Sequence, residues 1–170
     1  MQGLKFIIKD EKKRKKHILE NMIYMSEINK KNVFICREIF DINNEYKLNL
    51  YNGNSLELNT NDEWKIKEFD VIVGNPPYNK DTFENNAKGQ VLWFDFVKLS
   101  FNLLKKKGLL SLIHPPNYRK PSHDLRNIFF ENKLYFLKIY NDKQANNFFR
   151  CKTRIDYYIL KKEKNNNLNY

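Results

Sequence analysis

The stretch Phe69-Asp70-Val71-Ile72-Val73-Gly74-Asn75-Pro76-Pro77-Tyr78 constrains the fold of this chain more than any other. A short apolar run, Val71 to Val73, stops abruptly at Asn-Pro-Pro-Tyr. Apolar runs of that length bounded by turn residues read as buried strands of a parallel sheet. Consecutive prolines donate nothing to a ladder and fix φ near about −65°, so the strand must end at Pro76. The residue before a proline is pushed into extended backbone, which stiffens Asn75 too. The expected product is a rigid shelf at the carboxyl edge of a strand, where open α/β sheets bind their ligands. On that shelf the Asn75 side-chain oxygen and the Pro76 carbonyl are two adjacent acceptors, suited to a planar amino group. Tyr78 offers a flat face on which a base or an amide can stack. The alternative is a plain strand-end turn.

Asp70 followed by Asn75-Pro76-Pro77-Tyr78 resembles the catalytic motif of the amino-methyltransferases that use S-adenosylmethionine. The surrounding sequence, from about Lys16 to Leu160, is most similar to the adenine-specific DNA methyltransferases of restriction-modification systems and their viral relatives. The resemblance implies an α/β, Rossmann-like methyltransferase sheet and Asn75, Pro76, Pro77 and Tyr78 as the catalytic residues. It implies S-adenosyl-L-methionine as cofactor, contacted by Glu27, Asn54, Ser55 and Asn75, and no metal. It further implies transfer of a methyl group to the N6 amine of an adenine flipped out of double-stranded DNA. RNA or a protein glutamine is the alternative substrate, and a non-catalytic nucleic-acid-binding remnant or subunit the alternative role.

In chain order, residues 9–21 predict a helix whose cluster Lys12-Lys13-Arg14-Lys15-Lys16 is either a solvated face or a phosphate-binding patch. Residues 22–28 predict a strand ending in Glu27, where dinucleotide-type folds bind ribose hydroxyls. An acidic residue there is also favoured simply by the dipole of the following helix, on which Val33, Cys36, Ile39 and Phe40 share a face. The resemblance assigns Glu27 to the ribose. A third strand, Leu48 to Tyr51, leads to Gly53-Asn54-Ser55. The resembling family usually has aspartate where this chain has Asn54, whose amide oxygen can still accept; an Asn-Gly turn is the competing reading.

Residues 79–90 read as a loop over the site and carry Lys88. Residues 91–106 predict an amphipathic helix capped by Gly108, with Trp93 as packing. A strand at 109–113 should end in a second proline shelf, His114-Pro115-Pro116-Asn117-Tyr118-Arg119. The resemblance places that shelf beside the target pocket, giving Lys88, His114, Asn117 and Arg119 as substrate contacts; His114 alone reads equally as structural. Ser122 should cap a helix to Asn132. Strands at 134–140 and 155–160 should form a closing antiparallel hairpin. Residues 1–162 are thus read as one partial catalytic domain, with 163–170 a disordered polar tail.

The five glycines, at 3, 53, 74, 89 and 108, offer no Gly-x-Gly loop for the methionine end of the cofactor. The expectation is therefore a sheet missing its first strand and Gly-rich loop, with exposed edges on the neighbouring strands and a partner chain as one source of the missing motif. The net charge of +11 points to a polyanionic partner such as nucleic acid, or else to the lysine and asparagine bias of AT-rich coding. Cys36 and Cys151 lack metal-type spacing, and no apolar run suits a membrane span. Both features fit an intracellular protein of the cytoplasm, or of a nucleus or viral factory.

Overall fold

The computed structural model describes residues 2–78 and 91–165. The chain divides into two compact units, Met1–Ile66 and Lys67–Tyr170. Each unit carries its own sheet.

The first unit contains helices α1 (Gln2–Ile7), α2 (Glu11–Asn21), α3 (Lys30–Asp41) and α4 (Thr60–Trp64), with strands β1 (Tyr24–Glu27) and β2 (Asn49–Asn52). Helix α2 starts where the Asp10 side chain accepts from the Lys13 amide at 2.7 Å, a normal N-cap. Asn29 caps α3 in the same way. On α3 the half-buried stripe is Val33, Cys36 and Phe40, while Ile39 turns outward at 71% exposure. Strands β1 and β2 pair in parallel, Tyr24 opposite Asn49 and Glu27 opposite Asn52. The buried Asp41 carboxylate ends α3 by accepting from the Glu45 amide at 2.7 Å and the Tyr46 amide at 2.9 Å. These bonds fix the turn that leads into β2.

In the second unit, β3 (Phe69–Gly74), β4 (Leu104–His114), β6 (Ile155–Lys164) and β5 (Asn132–Tyr140) lie in that order. Strands β3 and β4 are parallel, and β4–β6 and β6–β5 are antiparallel, so the expected closing hairpin is present. Between them run α5 (Trp93–Asn102), the short 3₁₀ helix η1 (Pro116–Arg119), α6 (Arg126–Phe130) and α7 (Asp142–Phe149). Leu110 and Leu112 of β4 and Tyr158 and Leu160 of β6 form the core with Trp93, Val97, Leu125 and Phe129 from the helices.

Strand β3 departs from the buried strand its sequence predicts. Ile72 packs against the core, but Val71 is 55% and Val73 71% exposed. Among the described residues β3 pairs only with β4, and β1 only with β2. Gly108 is likewise not a helix cap: α5 ends at Asn102 and β4 begins two residues later. Lys107, at φ 67°, accompanies a register shift opposite residues 69–71. A Cβ on Gly108 would lie 2.8 Å from Leu104 Cγ and 3.0 Å from the Asp70 carbonyl, so this crowded bulge requires glycine. Ser122 caps nothing, because α6 starts at Arg126 and the Leu125 amide donates to His123 Nδ1 instead, at 3.2 Å. Residues 163 and 164 belong to β6, and the Asn165 amide bonds the Glu131 carbonyl at 2.8 Å. Strand pairing thus continues into the segment expected to be a tail.

Candidate active site

Pro76 is buried and anchors the shelf after β3, while Asn75 and Pro77 are exposed. The Tyr78 hydroxyl donates to Asn75 Oδ1 at 3.4 Å, and its carbonyl accepts from the Leu92 amide at 3.2 Å. Its ring packs against the core cluster. Burial, with the neighbouring Cys151 thiol adding to it, pushes the Tyr78 hydroxyl up to about 12, so it stays protonated and a donor at neutral pH. Among the described residues nothing donates to the Pro76 carbonyl. Asn75, Pro76, Pro77 and Tyr78 line a pocket of about 280 Å³ together with Phe149 from the end of α7. Phe149 is the residue that sequence reasoning missed. Its helix does have a local signal: Asn141 and Gln144 form a reciprocal capping box, and Arg150 ends α7 in the left-handed region at φ 52°.

The second proline shelf lies beside the first, since Gly74 registers with Leu112. His114 is not at the surface where a substrate contact would need it. It is fully buried, stacked on Trp93 at 4.3 Å, and its Nδ1 and Nε2 lie 2.8 Å from the Pro115 carbonyl and 3.1 Å from the Tyr158 hydroxyl. Burial pulls its pKa down to about 4. A depressed histidine contributes stability that is complete above about pH 6.5 and lost as pH falls toward 4, at most about 3 kcal/mol here. Urea midpoints compared with His114→Phe across that window should therefore converge as pH drops. A constant gap between the two proteins would contradict the assignment.

Arg119 is also held from within the fold. Its guanidinium pairs with the fully buried Asp156 carboxylate, which accepts from the Tyr118 hydroxyl at 2.6 Å. Burial raises the Tyr118 pKa, and its bond to Asp156 adds to the shift. Asn117, between these anchors, is exposed and remains open to a substrate. Lys88 lies outside the described residues.

The first unit brings Glu27, Asn54 and Ser55 to the carboxyl end of β1 and β2, where the Gly53 amide bonds the Glu27 carbonyl at 3.1 Å. Glu27 Oε1 accepts from the Asn29 amide at 2.8 Å and Oε2 from Asn32 Nδ2 at 3.3 Å. An ionised carboxylate has about four acceptor positions, so two remain for a ribose diol. Asn54 makes the local turn, accepting from Leu56 at 3.1 Å and donating to Glu57 at 2.7 Å. Ser55 and Ser26 share a hydroxyl contact of 2.6 Å. This donor set fits the adenosine half of S-adenosylmethionine. The glycines among the described residues, at 3, 53, 74 and 108, supply no paired-glycine cradle for the methionine half. Among the described residues no three acidic, histidine or cysteine side chains converge as a metal would need, and no helix is long and apolar enough to cross a membrane.

The family model of the Eco57I restriction-modification methylase matches residues 4–149. Among solved structures, the M protein of the type I restriction enzyme EcoKI (EC 2.1.1.72) superposes with TM-score 0.65 at 12% identity, over 95% of this chain and 35% of that one. The type I restriction-modification methyltransferase subunit of Streptococcus thermophilus gives 0.59 at 20% identity, over 85% and 34%. A class I S-adenosylmethionine-dependent methyltransferase of Listeria monocytogenes gives 0.54 at 15%, over 83% and 44%. The chain thus has the methyltransferase fold and spans less than half of each of these structures. No curated protein matches the sequence.

Proposed function

This chain belongs to the Eco57I restriction-modification methylase family, and we propose that it transfers a methyl group from S-adenosylmethionine to the N6 amine of an adenine flipped out of double-stranded DNA. The observation that carries this reading is the pocket in which Asn75, Pro76, Pro77 and Tyr78 face Phe149. Base extrusion brings a planar, π-faced ring out of the duplex, and two aromatic walls suit it.

Asn75 Oδ1 and the Pro76 carbonyl each accept one hydrogen of the amine. Holding both hydrogens turns the nitrogen lone pair out of conjugation with the ring and toward the methyl. When bound, S-adenosylmethionine supplies an electrophilic sulfonium methyl: the N–C bond forms as the S–C bond breaks, and the amine proton passes to solvent. The rate then comes from positioning and exclusion of water. The Tyr78 hydroxyl, kept protonated, orients Asn75 with its oxygen toward the shelf. Within the first unit, Glu27 would bind the ribose of the cofactor and Asn54 and Ser55 its adenine side.

Asn117 and Lys88 are the remaining contacts to the substrate strand, with Arg119 acting on it through the shelf it anchors. A strand and Gly-rich loop from a partner polypeptide would complete the sheet and hold the methionine carboxylate. The reaction places the protein inside the cell, beside its DNA. The net charge of +11 favours nucleic acid over a protein glutamine. To test the reading, the tagged chain is isolated with its associated polypeptides from its own cells. It is then given labelled S-adenosylmethionine together with DNA, RNA and protein. Label should appear as N6-methyladenine in DNA. Label in RNA, in glutamine or in N4-methylcytosine, or none in DNA, would contradict it.

A further inference from the structure

We propose that the lysines of α2 form a second nucleic-acid contact, a seat for the DNA phosphate backbone that reads no sequence. The choice of DNA rests on the reading above; the seat itself rests on the first unit's geometry. Lys12, Lys13 and Lys16 line a concave surface of about 450 Å³ whose other wall is Glu45 and Tyr46. A charge run on a free helix is ordinarily a solvated face, but this one borders a built cleft. The buried Asp41 holds the Glu45 and Tyr46 amides, and Glu20 Oε1 accepts from the Lys47 amide at 3.0 Å. Lys15 Nζ lies 5.1 Å from the centre of the Tyr46 ring, so the aromatic wall carries a cation as well.

The positive charge is only weakly neutralised. The Lys12–Glu45 and Lys16–Glu20 contacts, at 3.8 and 4.0 Å, are long and largely exposed on the lysine side; such pairs contribute little. Among the described residues no carboxylate pairs with Lys13 or Lys15. Arg14 takes no part, because its guanidinium bonds the Ile8 carbonyl at 2.8 Å and that of Lys9 at 3.2 Å. Lys12 and Lys16 stand one helical turn apart, about 6 Å along the axis. Duplex DNA presents one negative charge per about 1.7 Å of its axis, so several phosphates fall within reach of the four lysines at once. Ammonium groups on flexible stems suit phosphates as point charges and carry no base information.

The test measures binding of a fluorescent duplex of about 20 base pairs across a salt series, with one condensed-counterion term expected per contact. The variant K12Q/K13Q/K15Q/K16Q should bind at least about tenfold more weakly, and its log–log salt slope should fall by about 3 to 4. Replacing the same residues by arginine should restore both. K30Q/K31Q/K67Q/K143Q removes equal charge from exposed sites elsewhere and should change affinity less than about threefold, since screening confines the effect of distant surface charges. Equal losses in the two quadruple variants, or no loss in the first, would overturn the seat. A structured RNA that outcompetes the duplex through the same four lysines would overturn DNA as its occupant. Occupancy of the seat is read from binding alone, with no transfer step. Duplex binding that depends on these lysines, without methyl transfer to DNA, would therefore count against the catalytic reading and not against the seat.

Discussion

Replacing Asp156 by alanine is expected to cost the second unit about 3 to 5 kcal/mol, the range for breaking a buried ion pair by removing one partner. Asp156 is fully buried on β6 and is the common acceptor for Tyr118 and Arg119. Its removal strands in the core the hydroxyl of Tyr118, a residue only 3% exposed, and leaves the guanidinium without its counter-charge. The Arg119 side chain is 38% exposed and can recover part of its hydration, which favours the lower end of the range. Asp156→Asn keeps an acceptor for Tyr118 and should lose about half as much. Tyr118→Phe, which removes one hydrogen bond, should lose about 1 to 2 kcal/mol. Urea titrations give all three. Equal stability of Asp156→Ala and wild type would mean that the network does not hold the second shelf to the sheet.

The parts of the fold that were legible in the sequence are those written in local covalent terms. Pro76 and Pro77 end a strand by their own geometry, so the end of β3 at Gly74 follows from reading the chain. What failed depended on residues far apart. Gly108 follows an apolar helical pattern and reads as a cap. The crowding there by Leu104, by the Lys105 carbonyl and, from another strand, by the Asp70 carbonyl shows why glycine is required. His114 reads as a strand-end polar group until Tyr158, 44 residues later, is seen to take its Nε2. Val71 and Val73 read as buried because a short apolar run does not by itself say which of its residues face the core. Phe149 sits 71 residues beyond Tyr78, and no pattern within its own helix marks it as a pocket wall. The first unit shows the same division: Glu27 and Asn54 were legible as strand-end polar residues, whereas the Asp41 bonds that shape the α2 cleft were not.

The second large effect is expected at Asn75. Its side-chain oxygen is one of two acceptors for the amine, and alanine leaves the Pro76 carbonyl to act alone. Removing one of a pair of preorganised hydrogen-bonding groups in an active site typically costs about 10²–10³ in turnover. Asn75 is exposed and its amide bonds only the Tyr78 hydroxyl among the described residues, so the substitution should leave the fold intact. Tyr78→Phe removes the group that orients Asn75 but keeps the ring, and should cost much less, about tenfold, as the loss of one weak 3.4 Å hydrogen bond. A larger loss for Phe than for Ala would reverse the roles assigned to the two residues.

The most direct test of the central claim is therefore single-turnover methyl transfer to DNA by wild-type protein and Asn75→Ala, isolated with their associated polypeptides, with S-adenosylmethionine affinity measured on the same preparations. The account predicts transfer to adenine N6 slowed by about 10²–10³ in the variant, with cofactor affinity changed by less than about threefold. Transfer that survives Asn75→Ala, or a loss of cofactor affinity that matches the loss of transfer, would show that the Asn-Pro-Pro-Tyr shelf does not hold the reacting amine.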